Sequence, residues 1–293
     1  MGQDDRVHTT VALLGVGRMG APMAARLVDA GFTVRLWNRS SARVLPLVEA
    51  GASGAATPAE AVTGADLVIT MLPDGSSVEA VMRGPDGALT ATSTGTIWLQ
   101  MSSVGVEWAD RLAAMSADAG VGYVDAPVSG SVGPAETGTL LILASGPDDL
   151  QDAVAPVLDV LGRQTVWLGS AGAGSRAKLV LNNWLVDLVE SVVEALHFSE
   201  ALGLDPHLVV DMLDGAPIGS PYAVAKARLM LAGEFAPSFA LKHAVKDAGL
   251  ALEAAEASGT DLRVTASFIE PWRRAVAEGS GDQDVAAAYE CLG

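Results

Sequence analysis

The segment Leu14-Gly15-Val16-Gly17-Arg18-Met19-Gly20 follows an apolar run and opens a helical pattern, and it restricts the fold more than any other stretch. A strand that passes into a helix through glycines at this spacing belongs to a strand–helix–strand unit of a parallel sheet. Gly15 permits a tight turn, Gly17 lets backbone N–H groups approach a ligand, and Gly20 lets helix and strand pack closely. The helix N-terminus then offers partial positive charge to a pyrophosphate. Glycines alone recur by chance and serve ordinary turns. The strand before and the helix after them favour the dinucleotide reading, with Val16, Arg18 and Met19 as the rest of the phosphate loop.

The remaining first half keeps the alternation. Buried strands are expected over 10–14, 33–37, 67–71, 96–99 and 121–124, with helices between them, the first over 22–30. Two more strands, over 139–144 and 165–168, flank a helix over 150–161 and are expected to extend the same sheet. After Gly169 the texture changes to helix and turn only. A glycine-rich connector leads into one long helix over about 174–202, followed by helices over 206–213, 222–231, 241–257 and 261–278. The expected architecture is an α/β Rossmann domain over 1–169, doubly wound on a mostly parallel sheet. An all-α domain over 170–293 follows, joined by the long helix.

The composition narrows the partners. Of 293 residues, 35 are acidic and 18 basic, a formal net charge of −17. Such a surface repels phosphate backbones and anionic lipid, so neither nucleic acid nor a membrane is expected as partner. An anionic substrate would need a local cation in a cleft. No apolar run reaches membrane-spanning length, because Lys178, Asn182, Asp187 and Glu190 interrupt the longest one. The N-terminal ten residues are polar, without an apolar leader, and the single cysteine, Cys291, excludes an internal disulfide. Together these read as a cytoplasmic protein. His8, His197 and His207 lack Cys, Asp or Glu at ligand spacing, so no metal site is expected.

The end of the second strand selects the dinucleotide. A cofactor without a 2′-phosphate usually meets Asp or Glu there. This chain has Trp37-Asn38-Arg39-Ser40 instead. Arg39 can pair with a 2′-phosphate, Asn38 and Ser40 can add hydrogen bonds, and Arg43 is a possible second cation. NADP(H) is therefore expected over NAD. An exposed arginine with no such role is the bland alternative.

Three segments carry groups suited to chemistry. Asp125-Ala126-Pro127-Val128-Ser129-Gly130-Ser131 follows a strand, where crevices of parallel sheets open, and its backbone could hold a carboxylate. Lys178 and Asn182 share a helix face at i, i+4; burial among Leu179, Val180 and Leu181 would suit Lys178 as an acid or base, and a snorkelling lysine is the alternative. Lys246-Asp247, beside Lys242 and His243, makes a basic spot in an acidic chain, or an ordinary solvated pair.

In chain order these segments resemble the β-hydroxyacid dehydrogenase family, typified by 3-hydroxyisobutyrate dehydrogenase and the glyoxylate/succinic semialdehyde reductases. The resemblance rests on the string from Leu14 to Ala24, on Met71-Leu72-Pro73, and on DAPVSGS with Gly133 and Gly138-Thr139-Leu140. It continues through Gly172, Gly174, Lys178 and Asn182 to Lys246-Asp247 with Leu250-Ala251. It implies hydride transfer between NADP(H) and a small hydroxy acid, semialdehyde or keto acid. Lys178 would be the general acid/base, with Asn182 orienting substrate. Ser129 and Gly130 would hold the substrate carboxylate. Lys246 would add charge near carboxylate and nicotinamide, supported by Asp247. Met71, Leu72, Pro73 and Ser102 would contact cofactor. It also implies a homodimer, or a dimer of dimers, through the helical domain. Two positions depart from the pattern: Ser131 stands where a glycine is usual, adding a hydroxyl to the substrate loop, and Gln100 replaces an acidic residue before Ser102. An imine reductase on the same fold, or a catalytically silent NADP-binding scaffold, are the rival readings; Lys178 argues against both.

Overall fold

The computed structural model describes residues 9–292, and the chain packs as two compact units that divide after Lys178. The polar N-terminal stretch up to residue 8, including His8, lies outside the described residues.

The first unit is built on a six-stranded parallel sheet of β1 (Thr10–Leu14), β2 (Thr33–Trp37), β3 (Ser53–Gly54), β4 (Leu67–Thr70), β5 (Ile97–Gln100) and β6 (Gly122–Asp125), in the order β3-β2-β1-β4-β5-β6. Both faces of the sheet are covered, and β1 shows how. Val11 and Leu13 enter one core with Met23, Ala24 and Leu27 of helix α1 (Gly20–Asp29). Ala12 and Leu14 enter the other, with residues of α3 (Pro58–Val62), α4 (Gly75–Arg83) and α5 (Val106–Asp118); the remaining short helix of this half is α2 (Leu45–Glu49). The period of two in β1 thus divides its apolar side chains between the layers. Strand order reverses between β1 and β4, so a crevice opens beyond their carboxyl ends.

The strands expected to extend this sheet do not. β7 (Val128–Ser129), β8 (Leu140–Ala144) and β9 (Gly162–Trp167) form a separate three-stranded sheet, with β7–β8 antiparallel and β8–β9 parallel. Helices α6 (Val132–Thr137) and α7 (Gln151–Leu161) connect its strands. Pro127 accounts for the break, because it has no N–H to continue the ladder after β6. Its carbonyl accepts instead from Leu143 N–H at 3.0 Å, and an antiparallel bridge between Asp125 and Ser145 joins the two sheets.

α8 (Ala173–Ala201) runs through the division between units. The second unit continues with α9 (Pro206–Leu213), α10 (Pro221–Ala232), α11 (Leu241–Ser258) and α12 (Arg263–Ala277), and ends in a 3₁₀ segment, Val285–Leu292, that the sequence pattern did not foretell. Val186, Val189, Val193 and Leu196 of α8 pack with Leu241, Phe268, Trp272 and Val285 in its core. Cys291 is partly buried, which pushes its thiol up to about 11. No helix among the described residues is long and apolar enough to cross a membrane.

A buried ion pair pins the end of this unit. Lys226 Nζ lies 2.6 Å from Asp284 Oδ1, and the two side chains are 4% and 0% exposed. Ser238 N–H and Oγ–H, Phe239 N–H and Ala286 N–H also donate to the carboxylate. Burial alone would raise the carboxyl's pKa, but the Lys226 hydrogen bond and these amides hold it below the usual value. A depressed pKa stabilises the fold above the ordinary carboxylate range and loses that contribution as pH falls through it. Lys226→Met should therefore cost about 3–5 kcal/mol near neutrality by leaving a buried charge uncompensated. Denaturant unfolding at several pH values checks this, and the deficit should narrow toward acid pH.

Candidate active site

The phosphate loop folds by close approaches that only glycine allows. Gly15 sits at φ +111°, and a Cβ there would lie 2.3 Å from the Met71 carbonyl oxygen. A Cβ on Gly20 would lie 1.9 Å from the Gly15 carbonyl oxygen, so α1 rests directly on the turn. A Cβ on Gly17 meets nothing within 4 Å, because this residue faces open space. No side chain caps α1 at Met19. Uncapped amides beside an open glycine face suit the pyrophosphate of a dinucleotide. Val16 is buried in the core and gives the loop only its backbone, whereas Arg18 is exposed and Met19 half-buried.

Asn38 serves this loop from the end of β2. Its Oδ1 accepts from Val16 N–H at 3.1 Å and its Nδ2 donates to the Ser40 carbonyl at 3.0 Å. The carboxamide is thus engaged in holding the two turns together. Arg39, Ser40 and Arg43 are exposed just beyond it.

At the end of β4, Met71 and Leu72 are half-buried and Pro73 is exposed. Ser102, expected at the nicotinamide, is fully buried. Its hydroxyl accepts from Leu72 N–H at 2.9 Å and donates to the Thr70 carbonyl at 3.2 Å, so it braces the strand end. Gln100, also fully buried, accepts from Ser102 N–H at 2.7 Å and donates to the Ser102 carbonyl at 2.9 Å. A carboxylate could only accept there; the amide satisfies both backbone groups.

In the 126–131 loop, Ser129 is half-buried and Gly130 exposed at φ +138°, where a Cβ would lie 2.9 Å from Leu140 Cδ2. Ser131 takes an extended φ of −106°. Its serine therefore needs no glycine-like backbone, and the hydroxyl is an addition without a change of path. Lys178, 9% exposed, lies in the first turns of α8 in this same unit.

Asp125, which the sequence singles out only as the first residue of the 125–131 segment, makes a contact that the pattern does not show. It is 0% exposed, and both its oxygens accept from Ser175: Oδ2 from the N–H and Oδ1 from the hydroxyl, each at 2.8 Å. Burial raises its pKa to about 6, against the pull of those hydrogen bonds and of Arg176. No local signal marks the contact, since helix caps are read from residues adjacent in sequence.

In the second unit Asn182 is 4% exposed and donates to Asp247 Oδ2 at 2.5 Å. Lys246 Nζ lies 3.1 Å from Asp247 Oδ1 with its side chain 28% exposed. One carboxylate thus holds both groups. Burial, then the charges of Lys246 and Lys242, keeps His243 below the usual imidazole value. Asp187 is taken up by Asn183 and Thr265, and burial raises its pKa. Trp184 and Met212 are exposed.

Residues 10–169 match the NAD-binding domain of 6-phosphogluconate dehydrogenase, and residues 172–292 match the NAD-binding domain of NADP-dependent 3-hydroxyisobutyrate dehydrogenase. The chain is 34% identical over 290 residues to glyoxylate/succinic semialdehyde reductase 2 of Arabidopsis thaliana, covering 99% of this chain and 81% of that one. It is 36% identical over 282 residues to 2-(hydroxymethyl)glutarate dehydrogenase of Eubacterium barkeri, covering 96% and 93%. Among solved structures, 3-hydroxyisobutyrate dehydrogenase of Mycobacterium tuberculosis with L-serine superposes with a TM-score of 0.88 at 30% identity, covering 97% and 99%. With both halves matched and relatives alike along the whole length, the chain belongs to the β-hydroxyacid dehydrogenase family of NAD(P)-dependent oxidoreductases acting on CH–OH groups.

Proposed function

We propose that the protein catalyses reversible hydride transfer between NADP(H) and a small β- or γ-hydroxy acid or the corresponding semialdehyde or keto acid. Lys178 acts as the general acid/base. The observation that carries this reading is a lysine only 9% exposed in the first turns of α8, within the unit that also holds the phosphate loop and the 126–131 loop. That exposure distinguishes Lys178 from a snorkelling surface lysine, whose ammonium reaches water.

The nicotinamide supplies or accepts the hydride when it is bound. The chain's own residues bind, orient and move one proton. Ser129 and the Gly130 backbone hold the substrate carboxylate, and Ser131 adds a hydroxyl beside them. On reduction, protonated Lys178 gives its proton from Nζ to the carbonyl oxygen; on oxidation, neutral Lys178 takes the hydroxyl proton. Asn182 orients the substrate oxygen, and Lys246 contributes positive charge toward the carboxylate. Asp247 positions both through the contacts described above. Serine, 2-(hydroxymethyl)glutarate and succinic semialdehyde, named for the relatives, all combine a carboxylate with a nearby hydroxyl or aldehyde.

For the cofactor, an exposed Arg39 with Ser40 and Arg43 beyond β2, and no carboxylate at that place, supports NADP(H) over NAD(H). The 15–20 loop would take the pyrophosphate through amides beyond Gly15 and Val16, whose N–H groups donate to Trp37 and Asn38, and Met71, Leu72 and Pro73 would line the cofactor. The helical half is proposed to pair with a second copy, because α8 exposes Leu181, Trp184 and Phe198 at heptad spacing and Leu202, just past its end, continues the stripe.

Lys178→Ala should lower kcat roughly 10²–10⁴-fold with NADPH binding retained. NADPH oxidation against succinic semialdehyde and glyoxylate measures it, and near-normal turnover would remove Lys178 from the chemistry. Arg39→Ala should weaken NADPH roughly 10- to 100-fold and NADH little; equal losses for the two would refute the 2′-phosphate assignment. Phe198→Glu should shift the sedimentation profile toward monomer, and an unchanged mass would exclude the stripe as the pairing face.

A further inference from the structure

We propose that Asp125 is a positioning residue for the reaction: from the end of β6 its carboxylate grips the first turn of α8 and fixes Lys178 relative to the 126–131 loop. The proposal rests on the role assigned to Lys178 above.

The first amides of a helix have no partner within it. In α8 they are met by side chains from the two sheets. Gly174 N–H donates to Ser145 Oγ at 2.9 Å, and Ser175 N–H donates to Asp125 at 2.8 Å. The Ser175 hydroxyl adds a second bond to the same carboxylate. Two bonds from one residue to both oxygens of one carboxylate fix rotation as well as distance. A negative charge at a helix N-terminus is also favourable.

The approach is as close as backbone allows. A Cβ on Gly174 would lie 2.2 Å from the Leu143 carbonyl oxygen and 2.8 Å from that of Asp125. The first turn is therefore pressed against the ends of β6 and β8. Gly174 and Ser175 precede Lys178 by four and three residues, so the gripped positions share its face of the helix.

The same aspartate anchors the loop through its backbone. Asp125 N–H donates to the Ser145 carbonyl at 2.9 Å, and Ser145 N–H returns a bond to the Asp125 carbonyl at 2.8 Å. Ala126 N–H donates to the Gln100 carbonyl at 2.7 Å, and β7 then pairs Ser129 with Leu141. Asp125, Ser145, Gly174 and Ser175 thus close a ring between loop and helix.

An adjacent serine or asparagine would cap the helix without burying a charge. Asp125 and Ser145 are fully buried and Ser175 is 2% exposed. Burial holds the carboxyl at about 6. The charge of Arg176 acts on it from α8, itself paired with Asp110 of α5 at 3.0 Å and half-exposed, and Tyr123 of β6 feels both carboxylates. A costly group kept at a junction beside the reacting lysine has a geometric purpose.

Steady-state kinetics and NADPH binding on Asp125→Ala, Asp125→Asn, Ser175→Ala and Ser175→Thr test this, with Lys226→Met as a variant destabilised away from the site. Asp125→Ala should lower kcat roughly 10- to 100-fold with the NADPH dissociation constant unchanged within about twofold. Its solvent deuterium isotope effect on kcat should rise, because proton transfer from a misplaced Lys178 becomes slower. Asp125→Asn, which keeps the N–H leg but reverses the hydroxyl's, and Ser175→Ala, which keeps the N–H leg alone, should fall between, and Ser175→Thr should restore most of the rate. If Asp125→Ala does not fold, the Asn and Ser175 variants decide by the same measures. The proposal is overturned if kcat and the isotope effect stay at wild-type values, or if kcat falls no further than in Lys226→Met. It is also overturned if the loss lies in NADPH binding. Should Lys178→Ala prove inactive while the Asp125 variants stay active, the grip fails and the catalytic reading stands. An active Lys178→Ala removes both.

Discussion

Everything at the carboxyl edge of the large sheet depends on how closely α1 sits on the turn that leads into it. With 1.9 Å between the place of a Gly20 Cβ and the Gly15 carbonyl oxygen, no other residue permits the contact. Gly15 in turn lies under the Met71 carbonyl, so the turn after β1 and the end of β4 are fitted to each other. The two strands are neighbours in the sheet and flank its switch point. Any side chain at either glycine would push α1 outward and widen the turn. The open face at Gly17 exists because its two neighbours are locked.

Several of the buried polar groups in the first unit stand at strand ends. Gln100, Ser102 and Thr70 brace the ends of β4 and β5, while Asp125 and Ser145 tie β6 and β8 to α8. Trp98 Nε1 joins the same group by donating to Thr70 Oγ1 at 2.9 Å. Each of these groups is satisfied, as burial demands. Apolar packing sets how sheet and helices stack but leaves the exits of the strands loosely determined. Hydrogen bonds of fixed direction determine them, and the candidate site is assembled on those exits.

This difference explains what could be read from the residues. Periodicity located β1, β2 and α9 at their observed bounds and the other main elements to within a few residues, because it reports burial and burial built them. It misassigned β8 and β9 to the large sheet, since an apolar strand reads alike wherever it pairs. The signal that Pro127 ends the ladder was present but competes with the many prolines of ordinary loops. In the candidate site, the tight turn between β1 and α1 was legible because its constraints are local, in glycines. The hold of Asp125 on α8 was not, because its partner Ser175 lies fifty residues on, and the local string points to a carboxylate-holding loop, not to a helix anchor. Ser102 and Asn38 were recognised as important, but a hydroxyl or carboxamide in a string does not reveal whether it faces ligand or backbone.

The division of the chain after Lys178, and not at the glycine-rich connector before α8, follows from the same hydrogen bonds. The start of the helix is held by β6 and β8 through Asp125 and Ser145, and by Arg176 to Asp110 on α5. The next turn begins the helical unit, where Asn182 is held by Asp247. Lys178 and Asn182 are therefore one turn apart on an uninterrupted helix, each referenced to a different core. Their mutual spacing is set by helix geometry alone, which no side-chain rearrangement in either core can alter. With neither Pro nor Gly between positions 178 and 182, the helix holds their register through its own backbone hydrogen bonds.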